Sequence, residues 1–228
     1  MRKATAIIIL ALVGYYFLSV FLTVPFGEKR NNVGQYYLHN TVRETGAVNS
    51  VTAIVVSYRG FDTLGEVTVL FIASLGLGAI LFDKKGKKRR LQHASLIVRV
   101  GAHMLYPLIV LLGAYVFVHG HLTPGGGFQG GAIIATGVLL MFISYRSFET
   151  SHKALTYIES IAGMTFVLTG LSGLIWGNSF LQNVLPLGEP GRLISAGIIP
   201  IIYIAIGFKV GAELTGLLDN MLKTIKSD

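Results

Sequence analysis

Six long, nearly uncharged apolar runs decide what this chain can become. They cover residues 4–24, 63–82, 100–118, 130–145, 156–176 and 193–210, and each approaches the roughly 20 helical residues that cross a bilayer core of about 30 Å. Backbone polar groups find no water inside hydrocarbon, so runs of this kind span as α-helices. The expected class is an all-α integral membrane protein with about six transmembrane helices, multi-pass in the cell (cytoplasmic) membrane. Composition agrees, with 52% of residues hydrophobic and 13% charged, against about 25% charged in soluble domains. The first run follows Arg2 and Lys3 but exceeds a signal-peptide core and precedes no small-x-small site, so it reads as a retained anchor. The fourth is short, and either takes glycines from the motif before it or begins inside protein.

Lysine and arginine collect on the cytoplasmic side of membrane proteins. With both termini cytoplasmic, that side holds Arg2, Lys3, the block DKKGKKRR at 83–90, Arg99, Arg146, Lys153, Lys209, Lys223 and Lys226. Only Lys29, Arg30, Arg43, Arg59 and Arg192 of the 19 fall elsewhere. The net charge of +8 then reports orientation and contact with anionic lipid, and no nucleic acid is expected. The basic block also divides the chain. Residues 1–90 carry two spans around a polar segment, residues 91–228 carry four with short connections, and no repeat relates the two modules, which argues against an inverted-repeat transporter. Absence of cysteine excludes disulfides, thiolate metal sites and iron-sulfur ligation here, so any redox step sits on a partner.

The most unusual stretch is HGHLTPGGGFQGG, residues 119–131. Pro124 disfavours helix at Thr123, and Gly125, Gly126 and Gly127 admit backbone angles closed to other residues, so the third span stops and the fourth begins beyond it. With Phe128, Gly130 and Gly131 this makes a broken helix junction at 119–131. Such backbone is tolerated in a membrane where it packs in protein or lines water. A P-loop is excluded by the missing GK[ST] ending and preceding strand. His119 and His121 form an H-x-H pair without a third histidine or carboxylate nearby. They read as hydrogen-bonding or titratable groups at the broken helix ends, and no metal is expected.

In the first module, Val48, Val51, Val55 and Tyr58 fall on one helical face too short to span, which predicts an interfacial or re-entrant helix ended by Gly60. Asp62 and Thr63 are N-cap candidates for the next span, with Glu66 at the reach-back position. Glu66 has a second reading, because an ionisable group one turn into an apolar helix usually faces a bundle interior or a wet cavity. Glu159, about one turn into the fifth span, has the same two readings, and His103 is either a satisfied interior histidine or a proton carrier. Lys209 and Glu213, four apart near the inner end of the sixth span, can pair or snorkel, or Lys209 can pass protons. Arg146 and Glu149 read as surface loop groups.

HGHLTPGGGFQGGAIIATGVLL and IPIIYIAIGFKVGAELTGLL resemble the B subunit of Mrp-type (multiple resistance and pH) cation/proton antiporters, over about residues 91–228. VNSVTAIVVSYRGFDTLGEVTVLF, within residues 1–90, resembles the carboxy-terminal segment of that family's large A subunit, including the carboxylate at Glu66. The fused order departs from stand-alone antiporters and resembles the split Mrp modules of complex-I-related respiratory complexes, the membrane-bound sulfane-sulfur reductase in preference to the membrane-bound hydrogenase. The resemblance implies a subunit that is not itself a redox enzyme, transported H+ and Na+, iron-sulfur clusters on soluble partners, and Mrp-like and complex-I-like membrane neighbours. Its expected ion pathway is Glu66, Asp62, Glu159, Lys209 and His103. Alternatives are a non-transporting connector, a subunit of a stand-alone antiporter, an independent transporter, and a metal enzyme at His119 and His121.

Overall fold

The computed structural model describes residues 2–23, 33–82, 94–145 and 147–226, and among them every regular element is helical. The elements are α1 (Arg2–Thr23), α2 (Val33–Thr45), α3 (Ser50–Ala53), a π-helical turn (Ile54–Tyr58), α4 (Gly60–Phe82), α5 (Leu96–Val118), α6 (Gly127–Ser144), α7 (His152–Trp176) and α8 (Ile199–Lys226). Six of the described helices are long and apolar enough to cross a membrane: Ala4–Thr23, Gly60–Ile80, Leu96–Val118, Gly127–Ser144, His152–Trp176 and Ile199–Leu222. The basic block at 83–90, Lys29, Arg30 and Arg146 lie outside the described residues.

The chain forms two compact units, Met1–Tyr36 and Tyr37–Asp228. The first contains α1, an apolar helix whose side chains from Ala4 onward are exposed. In the second, α8 is the central element and packs against α4, α6 and α7, with α5 mainly against α6. Its buried face, Ile199, Ile202, Tyr203, Ile206 and Val210, joins Val56, Val67 and Phe166 in one core.

Lipid tails are as apolar as these side chains, so close backbone approach rather than the hydrophobic effect must hold the spans together. Glycine supplies it. A side chain on Gly131 would meet the Gly207 carbonyl at 2.8 Å and the Gly211 nitrogen at 2.9 Å, and one on Gly130 would meet the Gly113 carbonyl at 2.6 Å. Gly131 on α6 thus sits against Gly207 and Gly211 on α8, and Gly127 against Tyr203 and Ile206 of the same helix.

Several expected boundaries shift. The fourth span takes a glycine from the motif and begins at Gly127, and the fifth begins at His152, which puts Glu159 about 10 Å into the helix. The sixth runs over Ile199–Lys226 rather than 193–210. Residues 177–198 form a loop instead of a short connection, because Gly188, Gly191, Ala196 and Gly197 all have positive φ and Pro186 and Pro190 interrupt it. Pro200 is tolerated in the first turn of α8. Lys209 is therefore near the middle of its span, not at the inner end.

The expected apolar face before α4 also differs. Val51 is exposed, and Thr52, Ala53 and Val56 are buried instead. Asn49 caps α3, which turns Thr52 inward, and the wider π-helical turn changes the phase. Gly60 begins α4 rather than ending the preceding helix. Asp62 sits in its first turn, paired with Arg59 at 2.6 Å, and the Thr63 hydroxyl donates to the Val55 carbonyl at 2.6 Å. Neither is the cap.

Candidate functional site

The broken junction is held by the segment that precedes α4. The Asn49 side-chain amide donates to the Gly120 and Thr123 carbonyls, both at 2.9 Å, and the Thr52 hydroxyl donates to Gly120 as well. The Val48 and Asn49 backbone N–H groups both donate to the His121 carbonyl at 3.1 Å. Carbonyls freed when the helix breaks at Pro124 are thereby bonded inside the protein, as a nonhelical segment in a membrane requires. Gly125 lies against the Val116 carbonyl, Gly127 against Tyr203 and Ile206, and Gly126 beside Tyr203 and Gln129. Phe128 packs on the core around α8.

The two histidines part ways. His119 stacks on Tyr115 with ring centroids 4.3 Å apart and its Nδ1 lies 3.1 Å from the Tyr115 carbonyl. His121 is fully buried, with Nε2 3.4 Å from the Arg192 carbonyl and Nδ1 without a hydrogen-bond partner. Burial pushes its imidazole below the ordinary range, while the carbonyls of Arg192 and Leu193 pull partly the other way. Among the described residues no group of three or more His, Cys, Asp or Glu side chains could hold a metal ion.

The charged site lies between α7 and α8. Lys209 Nζ is 3.2 Å from Glu159 Oε1 and 3.6 Å from Glu213 Oε2, and it sits 5.0 Å from the centroid of the Phe71 ring of α4. The side chains of Lys209, Glu159 and Glu213 are 12%, 22% and 2% exposed. Both Glu213 oxygens are buried beyond hydrogen-bond range of any donor, so Lys209 holds that carboxylate by charge rather than by a formed hydrogen bond. Two carboxylates thus share one ammonium at mid-span depth. Fully ionised, the trio carries one uncompensated negative charge, and an isolated charge at that depth costs about 2.5–3.5 kcal/mol or more.

Glu159 and Lys209 are thus brought together. Glu66 and His103 are not: both are exposed, on α4 and α5, and Asp62 is held by Arg59. Glu66 makes no reach-back bond, because α4 begins at Gly60 and leaves it beyond the first turn. Glu149 is exposed. The sequence reading undervalued Glu213, although its i, i+4 spacing from Lys209 was the available signal. It missed His152 and Asp219, whose Nε2 and Oδ2 are 3.1 Å apart.

Two families match adjoining parts of the chain. One, described as a domain related to the MnhB subunit of Na+/H+ antiporters, covers residues 97–216, and the other, described as the E subunit of MBH, covers residues 1–94. An uncharacterised protein of Methanocaldococcus jannaschii, MJ1307, is 34% identical over 195 residues, spanning 73% of this chain and 74% of that protein. A chain of the membrane-bound sulfane sulfur reductase, an archaeal respiratory membrane complex, superimposes with a TM-score of 0.80 at 48% identity, covering 97% of this chain and 98% of that one. A chain of the Mrp complex from Dietzia sp. DQ12-45-1b gives 0.75 at 27% identity, covering 96% of this chain and 26% of that one.

Proposed function

We propose, because the chain belongs to the family of domains related to the MnhB subunit of Na+/H+ antiporters, that its α7–α8 site carries ions within such a module. The chain is a multi-pass membrane subunit of the Na+/H+ antiporter type. The parent machine is a respiratory membrane complex of the sulfane-sulfur-reductase kind, a reading supported by a likeness that spans nearly all of both chains. Soluble partners carry the iron-sulfur clusters, for which this cysteine-free chain has no ligands. Both termini lie on the cytoplasmic side, supported by the bias of lysine and arginine.

One observation carries the transport reading: Glu159, Lys209 and Glu213 leave one carboxylate without a counter-charge at mid-span depth. The least costly way to neutralise it is a bound H+ or Na+, taken up and released as the site gains and loses contact with water. Glu66, nearly two turns into α4, faces a neighbouring subunit that completes the route, and the Phe71 ring of the same helix covers Lys209.

The test is a Glu213→Gln change in the native assembly reconstituted into vesicles. Sodium-driven proton movement is expected to stop while the subunits remain together, and normal antiport in that variant rules the assignment out. A non-transporting connector is the competing reading, favoured by the Lys209–Glu159 pair that ties α7 to α8. It predicts full transport in the same variant. The identity of the parent machine is read from the polypeptides that co-purify: a sulfur-reducing subunit is expected, whereas a nickel-iron hydrogenase-like subunit or none selects the alternatives.

A further inference from the structure

Asp219 is a carboxylate buried inside the protein. It lies on α8 where α7 begins, its side chain 4% exposed, and Thr150 Oγ1 donates to its Oδ2 at 3.2 Å. Capping of α7 does not account for it, because the Ser151 side chain already accepts from the Ala154 N–H. Asp219 also meets His152, whose Nε2 approaches the same Oδ2 at 3.1 Å and whose side chain is 52% exposed. A half-exposed imidazole thus touches a carboxylate shut away from solvent.

The pair stands on the same seam as the Lys209 cluster. Leu155 lies against Gly216 and Gly163 against Lys209, so α7 and α8 run antiparallel with His152 opposite Asp219 and Glu159 opposite Lys209. His152 and Glu159 are seven residues apart on one face of α7, about 10 Å. Asp219 and Glu213 are six apart on α8, about 9 Å. At the far end, both Glu213 oxygens are buried and lack a donor.

We propose that His152 and Asp219 form a proton-delivery station that loads the Glu159–Lys209–Glu213 cluster from the end of the bundle opposite the broken junction. The proposal rests on the transport reading above. The imidazolium of His152 gives its proton to Asp219 and is recharged from solvent. The neutral Asp219 acid passes the proton along the α7–α8 seam, through water drawn into it, to a Glu213 oxygen. Each transfer breaks one O–H or N–H bond and forms another, so no further reactant is consumed.

The test uses the native assembly in vesicles, with proton movement driven by a sodium gradient and followed by a pH-sensitive dye. Asp219→Asn is expected to assemble and to slow proton movement on the order of a hundredfold, with much of the rate restored by azide, a small weak acid that replaces the lost carrier. Asp219→Glu keeps the rate. A wild-type rate in Asp219→Asn, or a slow rate that azide leaves unchanged, overturns the station. Should Asp219→Asn not assemble, His152→Gln decides, because loss of rate at acidic pH supports delivery and an unchanged pH profile refutes it. Glu213→Gln is run alongside: normal transport there removes the parent reading, whereas loss in Glu213→Gln with a wild-type rate in Asp219→Asn removes the station alone.

Discussion

At the scale of single residues, substitutions can separate a structural role of the Lys209 cluster from the transport role proposed for it. Lys209→Met leaves Glu159 and Glu213 facing each other without their cation, and removing one partner of a buried ion pair costs about 3–5 kcal/mol. Thermal unfolding in detergent should show that loss. Adding Glu159→Gln and Glu213→Gln removes the stranded charges, so stability should recover while sodium-driven proton movement stays absent. Recovery of both would make the cluster a brace. His121 gives a pH prediction of opposite character. Its folded-state imidazole is held below the ordinary value of about 6.5 because it is buried at the junction. The unfolded chain therefore binds the proton more readily. Stability is full above about pH 6.5 and falls as the pH drops from there toward the depressed folded-state value. Amide protection factors over residues 119–126, taken relative to the intrinsic exchange rate at each pH, should fall across that acidic window in the wild type, and His121→Phe should flatten the dependence.

At the scale of helices, glycine placement decides which substitutions the bundle tolerates. A methyl group at Gly131 meets backbone atoms of Gly207 and Gly211 below 3.0 Å, and neither can move without separating α6 from α8. Gly131→Ala should cost about 1–3 kcal/mol, as overpacking does. Gly163 offers a contrast, since a methyl group there reaches only Lys209 Cδ at 3.8 Å. Gly163→Ala should be neutral or stabilising by up to about 1 kcal/mol, and melting curves of the two variants in one detergent compare them directly. The same scale shows what could be read in advance. The existence of the spans was legible because hydrocarbon demands long apolar runs, and so was the break at Pro124. The extent of α8 was not, because Glu213 and Asp219 interrupt the apolar run beyond Val210 and are accommodated in the helix only once Lys209 and His152 stand beside them. Nor could local pattern link Asn49 to carbonyls more than 70 positions away, a contact fixed only by packing.

At the scale of the whole molecule, the outward faces describe an incomplete assembly. Exposed Leu105, Leu108, Leu111 and Leu112 on α5 suit lipid or another helix equally, but the exposed carboxylate of Glu66 on α4 suits only one of them. Left against hydrocarbon it would cost about 2.5–3.5 kcal/mol or more in its charged form, so a neighbouring subunit or a hydrated cavity must meet it. This chain has no native cysteine, so labelling read on its own band, once it is resolved from its partners, reports the introduced thiol alone. A cysteine at position 66 should react with a bulky thiol reagent in the isolated chain in detergent, be shielded from it in the complete assembly, and still react there with a small water-soluble reagent. Equal reactivity toward the bulky reagent in both would place that face outside the assembly and remove Glu66 from the route. Glu66→Gln then separates contact from transport. A carboxylate that serves the ion path should leave subunit composition unchanged when neutralised yet stop sodium-driven proton movement, whereas one that only anchors a neighbour should loosen the assembly first.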